Sequence, residues 1–195
     1  MTDDRLSRER IEELFISSGA VLKGHFKLTS GRHSAVYWEK FRVIENPAAA
    51  VPLCGLIAEH FAGKGVELVV GPTTGGIILA FETARQMGLP AAFAEKLETG
   101  ERAFRRGFRI PAGRRVLVVD DVLTTGKSIR EVLDALAGYQ AEVVGIGVLV
   151  DRSGGGLDFD GLPLYGCLEA SAPSYSPEDC PLCRQGEPLT KPGSS

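Results

Sequence analysis

With 195 residues, 44% hydrophobic and 24% charged, the chain has the size and balance of one globular domain with a real core and room for a small appendage. Its formal net charge of −3 argues against a non-specific nucleic-acid binder, although cationic residues gather locally between Arg102 and Arg115. No apolar run approaches the roughly 20 residues of a membrane span. The charged start MTDDRLSRERIEEL lacks the apolar stretch of a secretory signal, and four cysteines do not suggest a disulfide-stapled secreted fold. A cytoplasmic location, with no membrane and no nucleic-acid partner, is the expectation.

Ser7 to Ser18 is predicted as a helix, with Ile11, Leu14 and Phe15 on one face, Ser7 as N-cap and Gly19 as the stop. Phe26 to Val43 alternates between apolar and polar and breaks at Ser30-Gly31, which predicts a hairpin. After Asn46-Pro47 a second helical pattern carries Leu53, Ile57, Ala58 and Phe61, with Pro52 leaving its start open by a turn. Short β-branched runs then alternate with helices: strand Glu67 to Val70, helix Ile77 to Met87, strand Ala91 to Ala94, strand Val116 to Val119, helix Ser128 to Ala137 and strand Val143 to Val150. This order predicts an α/β fold, an open and mainly parallel sheet with helices on both faces. Glu98 to Gly113, rich in Arg and Gly, reads as a mobile loop or hairpin. From Ala170 a tail of Pro, Ser, Gly and Cys reads as extended surface chain, so residues 1–169 form the domain and 170–195 the tail.

The segment from Val116 to Ser128, VLVVDDVLTTGKS, is the most informative. A buried strand delivers Asp120 and Asp121 to its carboxyl end, and a tight loop then opens into a helix. Ligands of open α/β sheets bind at such strand ends. Backbone N–H groups from Val122 and Leu123 onward, with Gly126 allowing close approach, make an anion site at the helix start. Hydroxyls of Thr124, Thr125 and Ser128 add donors beside Lys127, and the carboxylates suit sugar hydroxyls or Mg2+, directly or through water. The ending Gly126-Lys127-Ser128 is that of a nucleotide-binding P-loop, but such a loop needs a glycine five residues before Gly126, where this chain has Asp121. The structural alternative is that the two acids only end a strand and Thr-Thr-Gly only turns.

The VLVVDDVLTTGKS run resembles the signature of the type I phosphoribosyltransferases. The resemblance implies the fold of that family, Asp120 and Asp121 on ribose hydroxyls, and Thr124, Thr125, Gly126, Lys127 and Ser128 around a 5-phosphate. Phe26 to Trp38, FKLTSGRHSAVYW, looks like the N-terminal hood of orotate phosphoribosyltransferases, here about residues 20–45 over a core of 46–169. By that likeness Thr29, Tyr37 and Trp38 border the pyrimidine; the plainer reading is an amphipathic hairpin with both aromatics in the core. VGPTTGG, from Val70 to Gly76, resembles the loop that takes the pyrophosphate leaving group, which puts Thr73, Thr74 and Gly75 on phosphoribosyl pyrophosphate. Asp151-Arg152 stands where the family has an Asp-Arg pair, and Arg152 can fork onto a substrate carboxylate, or else be a solvent-facing pair.

In one place the chain departs from the family pattern. Members usually carry an Arg-Lys pair and a further catalytic lysine in the mobile loop. Here Lys96 is kept, Glu95 stands in place of the arginine, and no lysine follows in the loop. Arg102, Arg105 and Arg106 are candidates to supply that charge, or form a solvated basic face. The implied reaction is transfer of a 5-phosphoribosyl group from phosphoribosyl pyrophosphate to orotate, dependent on Mg2+, in a homodimer whose loop reaches the neighbouring site. A purine-base transferase and a non-catalytic sensor of phosphoribosyl pyrophosphate are the alternatives. Cys180-Pro-Leu-Cys183 has the spacing of half a zinc site, with Cys167, His25, His33 and His60 as possible completions; a disulfide and unligated thiols stay open beside it.

Overall fold

The computed structural model describes residues 6–28, 30–170 and 173–192. Ser7 accepts the backbone N–H of Arg10 and opens α1 (Arg8–Ser17), which buries Ile11, Leu14 and Phe15. An antiparallel hairpin follows, β1 (Val21–Lys27) and β2 (His33–Trp38). The hairpin begins five residues earlier than its alternation suggests. A register shift between Lys23 and Phe26 breaks the period, so the first half of β1 does not alternate in burial. Phe41 to Val43, placed in the same hairpin by pattern, lie instead in a short helix, α2 (Phe41–Ile44).

Asn46 accepts the N–H of Ala48 and starts α3 (Pro47–His60), with Pro52 inside the helix rather than at its head. The kink penalty is outweighed because Ala49, Ala50, Leu53, Cys54, Ile57 and Ala58 are all buried on one face. Then come β3 (Leu68–Pro72), α4 (Gly75–Met87), β4 (Ala91–Lys96), the two-residue β5 (Arg102–Ala103), β6 (Arg115–Leu123), α5 (Lys127–Ala137), β7 (Glu142–Asp151) and β8 (Leu164–Glu169). These make one sheet in the order β5-β4-β3-β6-β7-β8, parallel except for β4 with β5. Strand β8 was not anticipated, since LYGCLE is short and carries a glycine at its centre.

Alternate residues of β6 feed two cores. Leu117 and Val119 join α1, α3 and α4 on one face; Val116 and Val118 join Ile129, Val132 and Leu136 of α5 on the other. The helices therefore cover both faces, as expected of a parallel sheet whose central strands are apolar throughout.

The tail folds back onto the hairpin rather than running free. Strands β9 (Ser174–Tyr175) and β10 (Leu189–Thr190) flank it in a separate sheet of order β10-β1-β2-β9, with the four-residue helix α6 (Pro181–Arg184) between them in sequence. Among the described residues no helix is long and apolar enough to cross a membrane.

Candidate active site

Strands β3 and β6 lie side by side, yet the chain leaves them in opposite directions, through α4 to β4 and through α5 to β7. The crevice at their carboxyl ends is the switch point where open α/β sheets bind ligands. Both loops that border it are packed on glycine. A Cβ on Gly71 would lie 2.2 Å from the Gly76 carbonyl oxygen, so strand and helix meet backbone to backbone. A Cβ on Gly75 would lie 2.2 Å from Asp121 Oδ2, which places the first turn of α4 directly against the acid pair. Thr73 and Thr74, joined by a cis peptide, connect the two, and Thr74 spends no side-chain bond on capping the helix.

The second loop is tighter than its sequence suggests. β6 does not stop at Val119 but runs through Asp120, Asp121 and Val122 to Leu123, held by pairing of Val122 with Val150 and of Leu123 with Asp151. The connection is then only Thr124, Thr125 and Gly126, the last left-handed at φ +73° and tight against the Phe159 ring. Gly126 has no side chain to cap α5; the Lys127 N–H donates to Thr125 Oγ1 at 3.4 Å, and the N–H groups that follow it in the first turn face the place an anion would take. A cavity of about 240 Å³ opens here, lined by Val122 through Ser128 together with Lys96, Arg102 and Glu131. Other surface cavities are larger, one of about 640 Å³ near Glu59 and Gln86 among them, but that one has neither a carboxylate pair nor a helix start.

Because β6 continues through them, Asp120 and Asp121 are only 5% and 3% exposed. Asp120 accepts from the Asp121 N–H at 2.9 Å and from Ser128 Oγ at 2.8 Å. Asp121 accepts from the Val122 N–H at 2.7 Å and pairs with Lys40 Nζ at 2.9 Å. Burial, and then the neighbouring Asp121 charge, push the Asp120 carboxyl up from 3.8 to about 6. Its hydrogen bonds and Lys40 pull the other way without cancelling the rise. Lys40 was not anticipated as a site residue. Its contact spans 81 positions, and nothing in the local pattern of Glu39-Lys40 marks it.

The cations differ in how firmly they are held, Lys127 Nζ lying 4.0 Å from Glu131. Lys96 and Lys127 line the cavity, and the Lys127 side chain is largely exposed. Arg102, expected as a loop cation, is instead 7% exposed in its side chain. It donates to Glu131 at 3.0 Å, to Thr73 Oγ1 at 3.1 Å and to the Ala94 carbonyl at 3.1 Å. It binds the first loop to α5 and so shapes the cavity rather than swinging over it. Arg106 pairs with Glu95 at 2.8 Å, so the acid that replaces the expected arginine has its own partner. That guanidinium holds the Glu95 carboxyl below its ordinary range.

Tyr37 and Trp38, neighbours on β2, point to opposite sides. Trp38 packs edge-on to Phe15 at 5.5 Å and joins the core, with its ring nitrogen buried and unpartnered among the described residues. Of the two, only Tyr37 lies toward Arg152, whose charge it favours while burial disfavours it more. The Arg152 backbone N–H is fixed on Leu123 at 2.8 Å, and its Nε is buried with no acceptor among the described residues. Tyr37 is thus within electrostatic range of Arg152, whose backbone is tied to Leu123 just before the loop bearing Thr124, while Trp38 packs into the core. Thr29 lies outside the described residues.

The acid pair is the donor set available for Mg2+. It offers hard oxygens, but they are already engaged by N–H, hydroxyl and ammonium groups, and among the described residues no third acid clusters with them. Such a pair fits an ion that keeps its waters and arrives with substrate phosphates, better than one caged by the protein.

A family model of the phosphoribosyl transferase domain matches residues 45–165. The orotate phosphoribosyltransferase of Pelotomaculum thermopropionicum is 49% identical over 189 residues, covering 97% of this chain and 98% of that one. Among solved structures, orotate phosphoribosyltransferase from Aeropyrum pernix superposes with a TM-score of 0.71 at 29% identity, covering 82% of this chain and 93% of that one. The Mycobacterium tuberculosis enzyme in complex with 5-phospho-alpha-D-ribosyl 1-diphosphate gives 0.67 at 26% identity, with 83% and 96% covered. Paired acids at the switch point, two glycine-packed loops and an arginine beside the hood agree with these likenesses, and the chain belongs to the phosphoribosyl transferase family, among the orotate phosphoribosyltransferases.

Proposed function

We propose that the protein transfers the 5-phosphoribosyl group of phosphoribosyl pyrophosphate to orotate, giving orotidine 5-phosphate and pyrophosphate for pyrimidine nucleotide synthesis in the cytoplasm. One observation carries this reading. The buried pair Asp120 and Asp121 stands between two uncapped helix starts, with the unpaired edge of Arg152 close by. Two anion sites, at the starts of α4 (Gly75) and α5 (Lys127), suit the two phosphate ends of one substrate, and the arginine suits the carboxylate of the other.

In the reaction the bond from the anomeric carbon to pyrophosphate breaks as a bond to the orotate ring nitrogen forms. Ribose hydroxyls donate to Asp120 and Asp121, and the 5-phosphate takes N–H groups and hydroxyls from Thr124 to Ser128. Charge develops on the departing pyrophosphate at the start of α4, beside Thr73, Thr74 and Gly75, where Lys96 can reach it. Fixed donors of this kind stabilise a transition state without reorganising. Asp120 and Asp121 are the residues that would hold Mg2+, which would supply further neutralisation of the leaving group. Tyr37 and Arg152 hold the pyrimidine and exclude water. Arg102 acts by positioning Thr73, and the largely exposed segments on either side of it, 98–101 and 105–107, close over the substrates.

A homodimer accords with Phe41 of α2 and with Ile78 and Phe81 of α4, large apolar side chains left exposed on two helices that pack together. Light scattering at assay concentration tests it; a fully active monomer excludes a shared site. The reaction is tested by loss of orotate absorbance with phosphoribosyl pyrophosphate and Mg2+, with adenine, guanine, xanthine and uracil in parallel. Turnover of orotate alone supports the reading. Turnover of another base keeps the role of Asp120 to Ser128 and removes that of Arg152 and Tyr37.

A further inference from the structure

The hood carries a second chemical centre that the transferase reaction does not use. His25 of β1, His33 of β2 and Cys180 and Cys183 at either end of the first turn of α6 bring their ligand atoms within 4.8 Å of one another. His25 Nε2 lies 3.0 Å from His33 Nδ1, 3.5 Å from Cys180 Sγ and 3.7 Å from Cys183 Sγ; His33 Nδ1 lies 3.2 Å from Cys183 Sγ. An ion held tetrahedrally at about 2.0–2.1 Å from nitrogen and about 2.3 Å from sulfur spaces such donors about 3.3–3.8 Å apart. The four atoms close on a common centre with shifts on the order of half an ångström to an ångström.

The surroundings fix the protonation that a metal needs. His25 Nδ1 lies 2.8 Å from the Glu187 carbonyl oxygen, and a carbonyl can only accept. That nitrogen therefore carries the proton and Nε2 turns its lone pair inward, which is how a metal-bound imidazole is normally oriented. His25, His33 and Cys180 are buried, and Cys183 lies at the surface. A Cys2His2 set with no carboxylate or water-facing vacancy selects Zn2+ of the structural kind. Cys167 and His60, the other possible completions, are elsewhere: Cys167 Sγ donates to the Leu53 carbonyl, and His60 stacks on Tyr165.

We propose that His25, His33, Cys180 and Cys183 bind one Zn2+ ion per chain, which fastens the C-terminal tail to the hood hairpin. The topology gives the ion a purpose. Strands β9 and β10 are two residues each, too short to hold by backbone bonds alone, and they pair at the ligand residues themselves, His25 with Leu189 and His33 with Tyr175. The ion closes a loop of more than a hundred residues between hood and tail, and its binding energy becomes folding energy. It also stands at the root of the loop between β1 and β2, where the hairpin turns.

The full chain, expressed in zinc-supplemented medium and purified without chelator, should contain about one zinc per chain by plasma mass spectrometry. The Cys180→Ser, Cys183→Ser double variant should contain less than a tenth of that, while keeping its far-ultraviolet circular dichroism. Should that variant fold poorly, the wild type answers alone. Reduced, metal-stripped protein given cobalt(II) should develop thiolate charge-transfer bands and intense tetrahedral visible absorption, and one equivalent of Zn2+ should bleach both. Absence of metal uptake by reduced wild type overturns the proposal. So does undiminished zinc in the folded double variant, or a Cys180–Cys183 disulfide found by mass mapping in protein isolated under reducing conditions.

Discussion

Replacing Asp120 by asparagine should stabilise the fold while removing activity, and the size of the gain follows from the site. In the folded chain the carboxyl is raised from 3.8 to about 6, chiefly by burial and then by Asp121. Such a group favours the fold in its protonated form. That contribution is fully present below about pH 4 and is lost as pH rises through about 6. The gap corresponds to about 3 kcal/mol at most, and sharing of charge with Asp121 and Lys40 brings the expectation to about 1–3 kcal/mol. Asparagine is nearly isosteric and can still serve both neighbours. Its carbonyl accepts from the Asp121 N–H, and its amide donates to Ser128 Oγ once that hydroxyl rotates. At about pH 8 the variant should melt higher by roughly 2–10 °C, and at about pH 4 the two proteins should melt nearly together. Its kcat/KM should fall by about a hundredfold or more, because an amide holds a ribose hydroxyl without charge. Thermal melts across that pH range, read beside orotate turnover, test both halves. A variant that melts lower at about pH 8, or gains equally at every pH, would refute the assignment of a strained buried acid.

Gly75→Ala drives a methyl group to 2.2 Å from Asp121 Oδ2; the expected cost is about 1–3 kcal/mol in stability by denaturant titration and about a hundredfold in kcat/KM. Arg152→Lys removes the fork but keeps the charge, so the KM for orotate should rise at least about tenfold while that for phosphoribosyl pyrophosphate stays level; equal changes in both would place Arg152 outside the base site. Arg102→Ala should destabilise the chain by about 2–4 kcal/mol by denaturant titration, since it leaves Glu131 without its buried partner. Arg106→Ala, which removes the solvent-exposed member of its pair with Glu95, should leave the melting temperature within about a degree or two and lower kcat; an unchanged kcat would show that Arg106 takes no part in loop closure.

Most of the parallel sheet was legible because its strands are short apolar runs set between strongly periodic helices, a pattern that survives without knowledge of partners. Helix α5 and the motif from Val116 to Ser128 were legible for the same reason, with the chemistry written in consecutive residues. What escaped was set by contacts distant in sequence. The extension of β6 through Asp120 and Asp121 depends on pairing with β7, so two acids that read as a strand-end pair at a loop are buried inside the sheet. Lys40 reaches Asp121 from the hood, and Trp38 turns inward to Phe15 because alternation on β2 assigns it that side. The tail offered only a Cys-x-x-Cys; its histidine partners lie more than 140 positions away, on strands whose register only the fold provides.

The departure of the mobile loop from the family pattern takes on a physical sense once the charges are placed. Glu95 where an arginine is expected would be a liability beside a pyrophosphate if it stood alone, yet Arg106 neutralises it from within the same loop. Arg102 cannot substitute for a mobile lysine, being spent on Glu131, Thr73 and Ala94. The positive charge near the acids is instead carried by rigid elements: Lys40 at the end of the hood, Lys96 at the end of β4 and Lys127 at the head of α5. Charge held on fixed elements needs no loop to deliver it, so the loop is left to exclude water and to release Arg106 when an anion arrives. Because the Arg106 side chain is 68% exposed, its pair with Glu95 is screened by solvent and readily given up for a charge-assisted phosphate contact. The expectation for closure is therefore an exchange of one carboxylate for one phosphate at Arg106, which an unchanged kcat in Arg106→Ala would refute.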